Sequence, residues 1–93
     1  MMPTAIPRVT QALRAKRITE TFRGSKRVYY LYRWCPQTGG HHLFRGTDHQ
    51  RTAKLIVAQQ EALGRSMIVF CAKPAHYITY CVYRTPAQGE RNA

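Results

Sequence analysis

Arg27, Tyr29 and Arg33 recur at alternate positions in the stretch 27–34, and Tyr77 and Tyr83 fall on alternate positions in 76–84. In an extended chain successive side chains point to opposite faces, so each set shares one face of a strand. Guanidinium groups beside flat rings are the chemistry of single-stranded nucleic-acid binding, because cations meet phosphates while unstacked bases lie on aromatic faces. A second basic group, Arg14, Lys16, Arg17, Arg23, Lys26 and Arg27, gathers around the first predicted helix end and the turn at Gly24. A basic hairpin tip of that kind enters a groove or follows a backbone. The expected nucleic-acid-binding set is therefore Arg17, Arg23, Lys26, Arg27, Tyr29, Arg33, Tyr77 and Tyr83. Tyr is also favoured in strands, where Tyr and Arg pairs cover a sheet without any ligand.

The histidines offer different chemistry. His41 and His42 are adjacent, with Cys35 upstream and His49 downstream. That spacing fits neither a C-x-x-C nor an H-x-x-x-H zinc pattern, so no metal and no cofactor is expected. The run Gly39-Gly40-His41-His42-Leu43-Phe44-Arg45 resembles the Gly-Ser-His-His-x-Phe stretch of HicA-type ribonuclease toxins over about seven residues, with Gly40 in place of the Ser. The resemblance implies a small fold related to double-stranded RNA-binding domains. It also implies a general acid or base at His41 or His42, with Arg45 steadying the developing charge. Adjacent residues of a strand face opposite ways, so at most one of the two meets a substrate. The expectation is a protein that is not an enzyme, with no catalytic residue, and the ribonuclease stands as a third reading.

Composition sets the bounds. The 93 residues carry 15 Lys and Arg against four acids, a formal net charge of +11, spread from Arg8 to Arg91. A compact state this charged repels itself, and a polyanion relieves that repulsion, which makes nucleic acid the first expected partner and an acidic protein surface the second. A hydrophobic fraction of 44% is too rich for a disordered tail, and the length suits one domain, 1–93, with loose termini at about 1–5 and 85–93. The longest apolar run, Ser66 to Ala72, is far short of the roughly 20 residues that span a bilayer, and residues 1–8 lack a signal-peptide core. No membrane role and a cytoplasmic location are expected. The odd count of three cysteines points to reduced packing residues.

The elements that must position these residues alternate. Pro7 opens a helix to about Lys16, with Ile6, Val9 and Leu13 along one side. Residues 17–23 read as a strand, forming a first hairpin with 27–34 through Gly24 and Ser25. Residues 35–40 form a turn, and 41–45 a third strand. Thr47 and Gln50 match a capping box with Asp48 in the first turn of a helix from about Asp48 to Leu63, stopped by Gly64. Its expected apolar stripe is Leu55, Ile56, Ala62 and Leu63 with Ala53 and Ala58. Residues 66–72 read as a strand buried on both faces, and 76–84 as a last strand. The sum is an α+β domain of order α-β-β-β-α-β-β, a mainly antiparallel sheet with helices on one face. The other face would then present Arg27, Tyr29, Arg33, Tyr77 and Tyr83.

The segment from Arg27 to Leu63, with its aromatic strand, Gly-containing turn, second strand and helix, also resembles the three-strand-plus-helix arm-type DNA-binding domains of tyrosine integrases. That likeness implies a sheet laid in the major groove and assigns no residue. Outside nucleic-acid binding, small basic chains of this kind suit phage or mobile-element accessory proteins that inhibit a host defence or nucleic-acid-processing complex. There the arginines would meet carboxylates and the tyrosines would serve as interface anchors. A homodimer sheet extended through Tyr77 and Tyr83 is the remaining partner expectation.

Overall fold

The computed structural model describes residues 6–74 and 80–85. Its elements are α1 (Arg8–Thr21), β1 (Val28–Cys35), β2 (Gly40–Thr47), α2 (Gln50–Ala62), β3 (Met67–Ala72) and β4 (Tyr80–Arg84). The strands form one antiparallel sheet in the order β2-β1-β3-β4. The α+β class is as expected, with one strand fewer at the start.

That strand is helix. Residues 17–21 continue α1, and the hairpin with 27–34 does not exist. The reason lies in a second periodicity within the same residues. Ala15, Ile18 and Phe22 fall three and four apart, on one helical side, and that side packs on Val28, Tyr30, Leu43 and Ala72. Docking outweighs the β-propensity of Ile18, Thr19 and Thr21, and the two threonine hydroxyls bond back to the carbonyls of Ala15 and Arg17 at 2.8 Å. Val9 and Leu13, expected to dock, are exposed. The hairpin that forms instead is β1 to β2, closed by a turn in which Gly39 takes φ +71 and its N–H bonds the Cys35 carbonyl at 2.9 Å. Only two strands therefore precede α2, unlike the order that the integrase resemblance implies.

Helix α2 begins two residues later than expected. The capping box does not form: the Thr47 hydroxyl accepts from the His49 N–H at 3.2 Å, while Asp48 accepts from the Ser25 hydroxyl at 2.8 Å. At the other end Gly64, at φ +77, makes the expected stop. Gly64 N–H bonds the Glu61 carbonyl and Arg65 N–H the Gln60 carbonyl, both at 2.9 Å, which is a Schellman closure. The buried stripe is Ala53, Ile56 and Val57, so the expected Leu55 and Leu63 face outward, Leu63 with 70% of its surface exposed.

The helices lie one on each face of the sheet, in place of the single helical face expected. Tyr29, Leu31, Met67, Val69 and Cys71 pack under Ala53, Ile56 and Val57 of α2. Val28, Tyr30, Leu43 and Ala72 pack with α1 on the other side. Helix α1 also covers the outer edge of β2: Gln11 accepts from the Leu43 N–H at 2.9 Å and Arg14 donates to the Leu43 carbonyl at 3.0 Å, blunting an edge strand. A bulge between Leu31 and Tyr32, opposite Phe44, turns that ring to the α2 side. Strand β3 has Met67, Val69, Cys71 and Ala72 buried, with Ile68 and Phe70 half-buried. Thr85, expected in a loose tail, is held by Met67, its hydroxyl accepting from the Met67 N–H at 2.8 Å.

Candidate nucleic-acid interface

Strand parity divides the β1 side chains as the alternation predicts, with Tyr29, Leu31 and Arg33 opposite Val28, Tyr30 and Tyr32. The set expected to face outward is the one that α2 covers. Tyr29 is only 6% exposed and cannot serve as a stacking platform. Arg33 is half-buried, its guanidinium 4.7 Å from the centroid of the Phe44 ring, a cation–π contact within the fold. Tyr83 is exposed on β4, where its hydroxyl donates to Glu61 Oε1, and that bond raises the phenol pKa. Tyr77 lies outside the described residues.

The basic members of the set fare differently. Register pairs Val28 with Ala72 and Tyr29 with Thr47, so the loop before β1, the end of β3 and the start of α2 meet at one end of the sheet. The Ser25–Asp48 hydrogen bond ties the loop to the α2 start. Arg23, Lys26 and Arg27 stand exposed on that loop, Lys73 just past β3 and Arg51 in the first turn of α2, all exposed. Arg17 is not among them. It lies two residues before Thr19, whose hydroxyl meets Tyr30 Oη at 2.9 Å across the sheet, and so faces away from the sheet. Helix α2 enters this end with no side-chain cap on its N-terminus, leaving N–H groups and the positive end of the helix dipole toward the same cations. One acid, Asp48, shares this end with the five cations, and Glu20 stands in the last turn of α1. Sequence reasoning missed Lys73 and Arg51, because only the register shows that residues 27, 51 and 73 meet.

A groove of about 330 Å³ runs between α2 and the sheet, with Arg27, Lys54 and Tyr83 on its rim and Tyr29, Val57 and Val69 inside. It is continuous with the basic end through Arg27.

The histidines sit at the opposite end, in hydrogen bonds of the fold. Gln11, whose oxygen is taken by Leu43 N–H, donates through its nitrogen to His42 Nδ1 at 2.6 Å, and His42 Nε2 meets the Thr38 hydroxyl. His41 Nε2 meets the Ser66 hydroxyl at 3.0 Å, and its ring stands edge-on to Trp34 with centroids 5.2 Å apart. Nearby, hydrogen bonding from Thr38 lowers the Cys35 thiol pKa, whereas burial raises that of Cys71. The thiolate is the reactive form, so an alkylating reagent at about pH 8 should modify Cys35 well before Cys71 in the folded chain. Peptide mapping by mass spectrometry reads the order, and equal rates would contradict the burial of Cys71.

No family model, curated protein or solved structure matches this chain.

Proposed function

We propose that the chain is a non-enzymatic nucleic-acid-binding protein, whose phosphate-contacting surface is the sheet end bearing Arg23, Lys26, Arg27, Arg51 and Lys73. The observation that carries this reading is the convergence of those exposed cations, from three separate segments, around an uncapped helix N-terminus. Phosphate contacts of this kind position a nucleic acid without reading its sequence. The net charge of +11 supplies the long-range attraction.

The test is a fluorescence anisotropy titration of labelled DNA and RNA with the wild-type chain and the Arg23→Glu/Lys26→Glu variant. Reversing two cations at the site should weaken binding at least tenfold and flatten the dependence of log affinity on log salt by about one unit per lost contact. Arg17→Glu, on the far side of α1, changes net charge by the same amount per residue and should cost much less. Equal losses for the two positions would reduce the site to nonspecific attraction. Feeble binding by the wild-type chain at about 0.15 M salt would redirect the cations to an acidic protein surface.

A further inference from the structure

We propose that the half of the sheet face beside α1 is a trench for single-stranded nucleic acid, with bases against Tyr32, Trp34 and Phe70 and phosphates met by Lys16 and Arg23. This inference rests on the nucleic-acid reading above and names the form of the ligand.

Helix α1 packs on β2 and β1, and its Gln11 and Arg14 reach the outer edge of β2. It therefore sits to one side of its face. It reaches β3 at Ala72, and among the described residues no helix lies over β4 there. The difference shows in burial along the same strands. Leu31, Met67, Val69 and Cys71, which face α2, are each 2% exposed or less. Tyr32, Trp34, Ile68 and Phe70, which face the other way, all keep exposed surface. Register brings them together: Tyr32 pairs with Ile68, and Tyr30 with Phe70. Tyr32 and Phe70 meet edge to face, centroids 5.3 Å apart at 84°, and both rest on the Val28, Tyr30, Leu43 and Ala72 cluster while keeping part of their surface exposed.

The walls are cationic. The Thr19–Tyr30 hydrogen bond marks the side of α1 that overlooks the sheet. Lys16, three residues earlier, shares that side, Arg23 stands in the turn just past the helix, next to Phe22 that packs on this face, and both cations are exposed. Across the trench, Arg84 of β4 pairs with Ile68 and so stands on the same face. An aromatic floor between cationic walls suits a ligand with flat apolar rings on an anionic backbone. A second copy of this chain would instead bring the same cations and the same +11 charge against it. A duplex keeps its bases stacked inside, so the floor selects a single strand. Arg23 belongs also to the basic end, which makes the trench and that surface continuous.

Trp34 is the one Trp of the sequence, so its emission reports on the floor directly. The wild-type chain is titrated with a short unlabelled single-stranded oligonucleotide, the same sequence as a duplex, and inorganic polyphosphate. The expected result is quenching of Trp34 by the single strand and none by polyphosphate, with Phe70→Leu and Tyr32→Ala weakening single-strand affinity about tenfold, the order of one stacked base. Both variants should bind polyphosphate as the wild type does. Saturating single strand that leaves Trp34 emission unchanged, or equal quenching by polyphosphate, overturns the trench while leaving the basic end intact. Failure to bind any of the three polyanions overturns both. The quenching result needs no variant, so it decides the matter even where Phe70→Leu or Tyr32→Ala fails to fold.

Discussion

Leu31→Ala should destabilise the fold by about 2–5 kcal/mol, the range for removing a buried leucine and leaving a cavity. Leu31 has no exposed surface and lies on β1, hydrogen-bonded on both sides by β2 and β3. Its side chain joins Met67 and Val69 of the sheet to Ile56 and Val57 of α2, so the truncation opens the contact that holds the helix. Two hydrogen-bonded neighbours restrict how far β1 can shift to close the gap, which places the loss in the upper part of the range. Small domains are stable by about 5–15 kcal/mol in total, so this one change removes a large share. Urea unfolding followed by circular dichroism reads it as a lower midpoint with an unchanged slope. A loss below about 1 kcal/mol, small for a leucine truncation, would mean that α2 does not rest on this strand.

Gly46→Ala should cost about 1–3 kcal/mol by overpacking, although Gly46 has no unusual φ. A Cβ at Gly46 would clash with Ile18 Cγ2 and crowd its Cγ1 and Cβ at 3.1 and 3.2 Å. Those atoms lie close to the α1 backbone, and a β-branched residue in a helix has essentially one rotamer, so the helix itself must move. Gly46 thus lets α1 lie directly against β2. A cycle with Ile18→Ala isolates the effect: Ile18→Ala should be less costly in the Gly46→Ala background than alone, with a coupling of about 0.5–3 kcal/mol. Additive losses would contradict the close approach of α1 and β2.

What the sequence disclosed and what it withheld divide along the same physical line. Turn and stop signals are local, so the Gly39 turn, the Gly64 stop and the strands at 28–35 and 67–72 were legible from residue type alone. The alternation in β1 was legible too, because strand period is a property of the backbone. Which face a helix would cover is not local. It depends on the path of the chain from β2 through α2 to β3, and that path put α2 over Tyr29 and left Tyr32 and Trp34 beside the smaller cover of α1. Residues 17–23 carry both a strand alternation and a helical spacing at Ile18 and Phe22, and the contacts that decide between them lie in β1, β2 and β3. The capping signal at Thr47 failed for a similar reason, since Asp48 is held by Ser25 from a distant turn. Within the candidate site, Arg23, Lys26 and Arg27 were legible as a cluster in sequence. Arg51 and Lys73 join them only through register.

If phosphate contacts at the basic end dominate binding, affinity must fall steeply as salt rises. Affinity for a labelled single-stranded oligonucleotide is measured at a series of salt concentrations, and log affinity is plotted against log salt. Submicromolar binding at low salt is expected, with a straight line whose slope corresponds to several displaced counterions, at about 0.7 per single-strand phosphate contact. The Arg23→Glu/Lys26→Glu variant should give a line shallower by those contacts. A slope near zero, or one that the variant leaves unchanged, would rule out a phosphate-binding surface at the basic end.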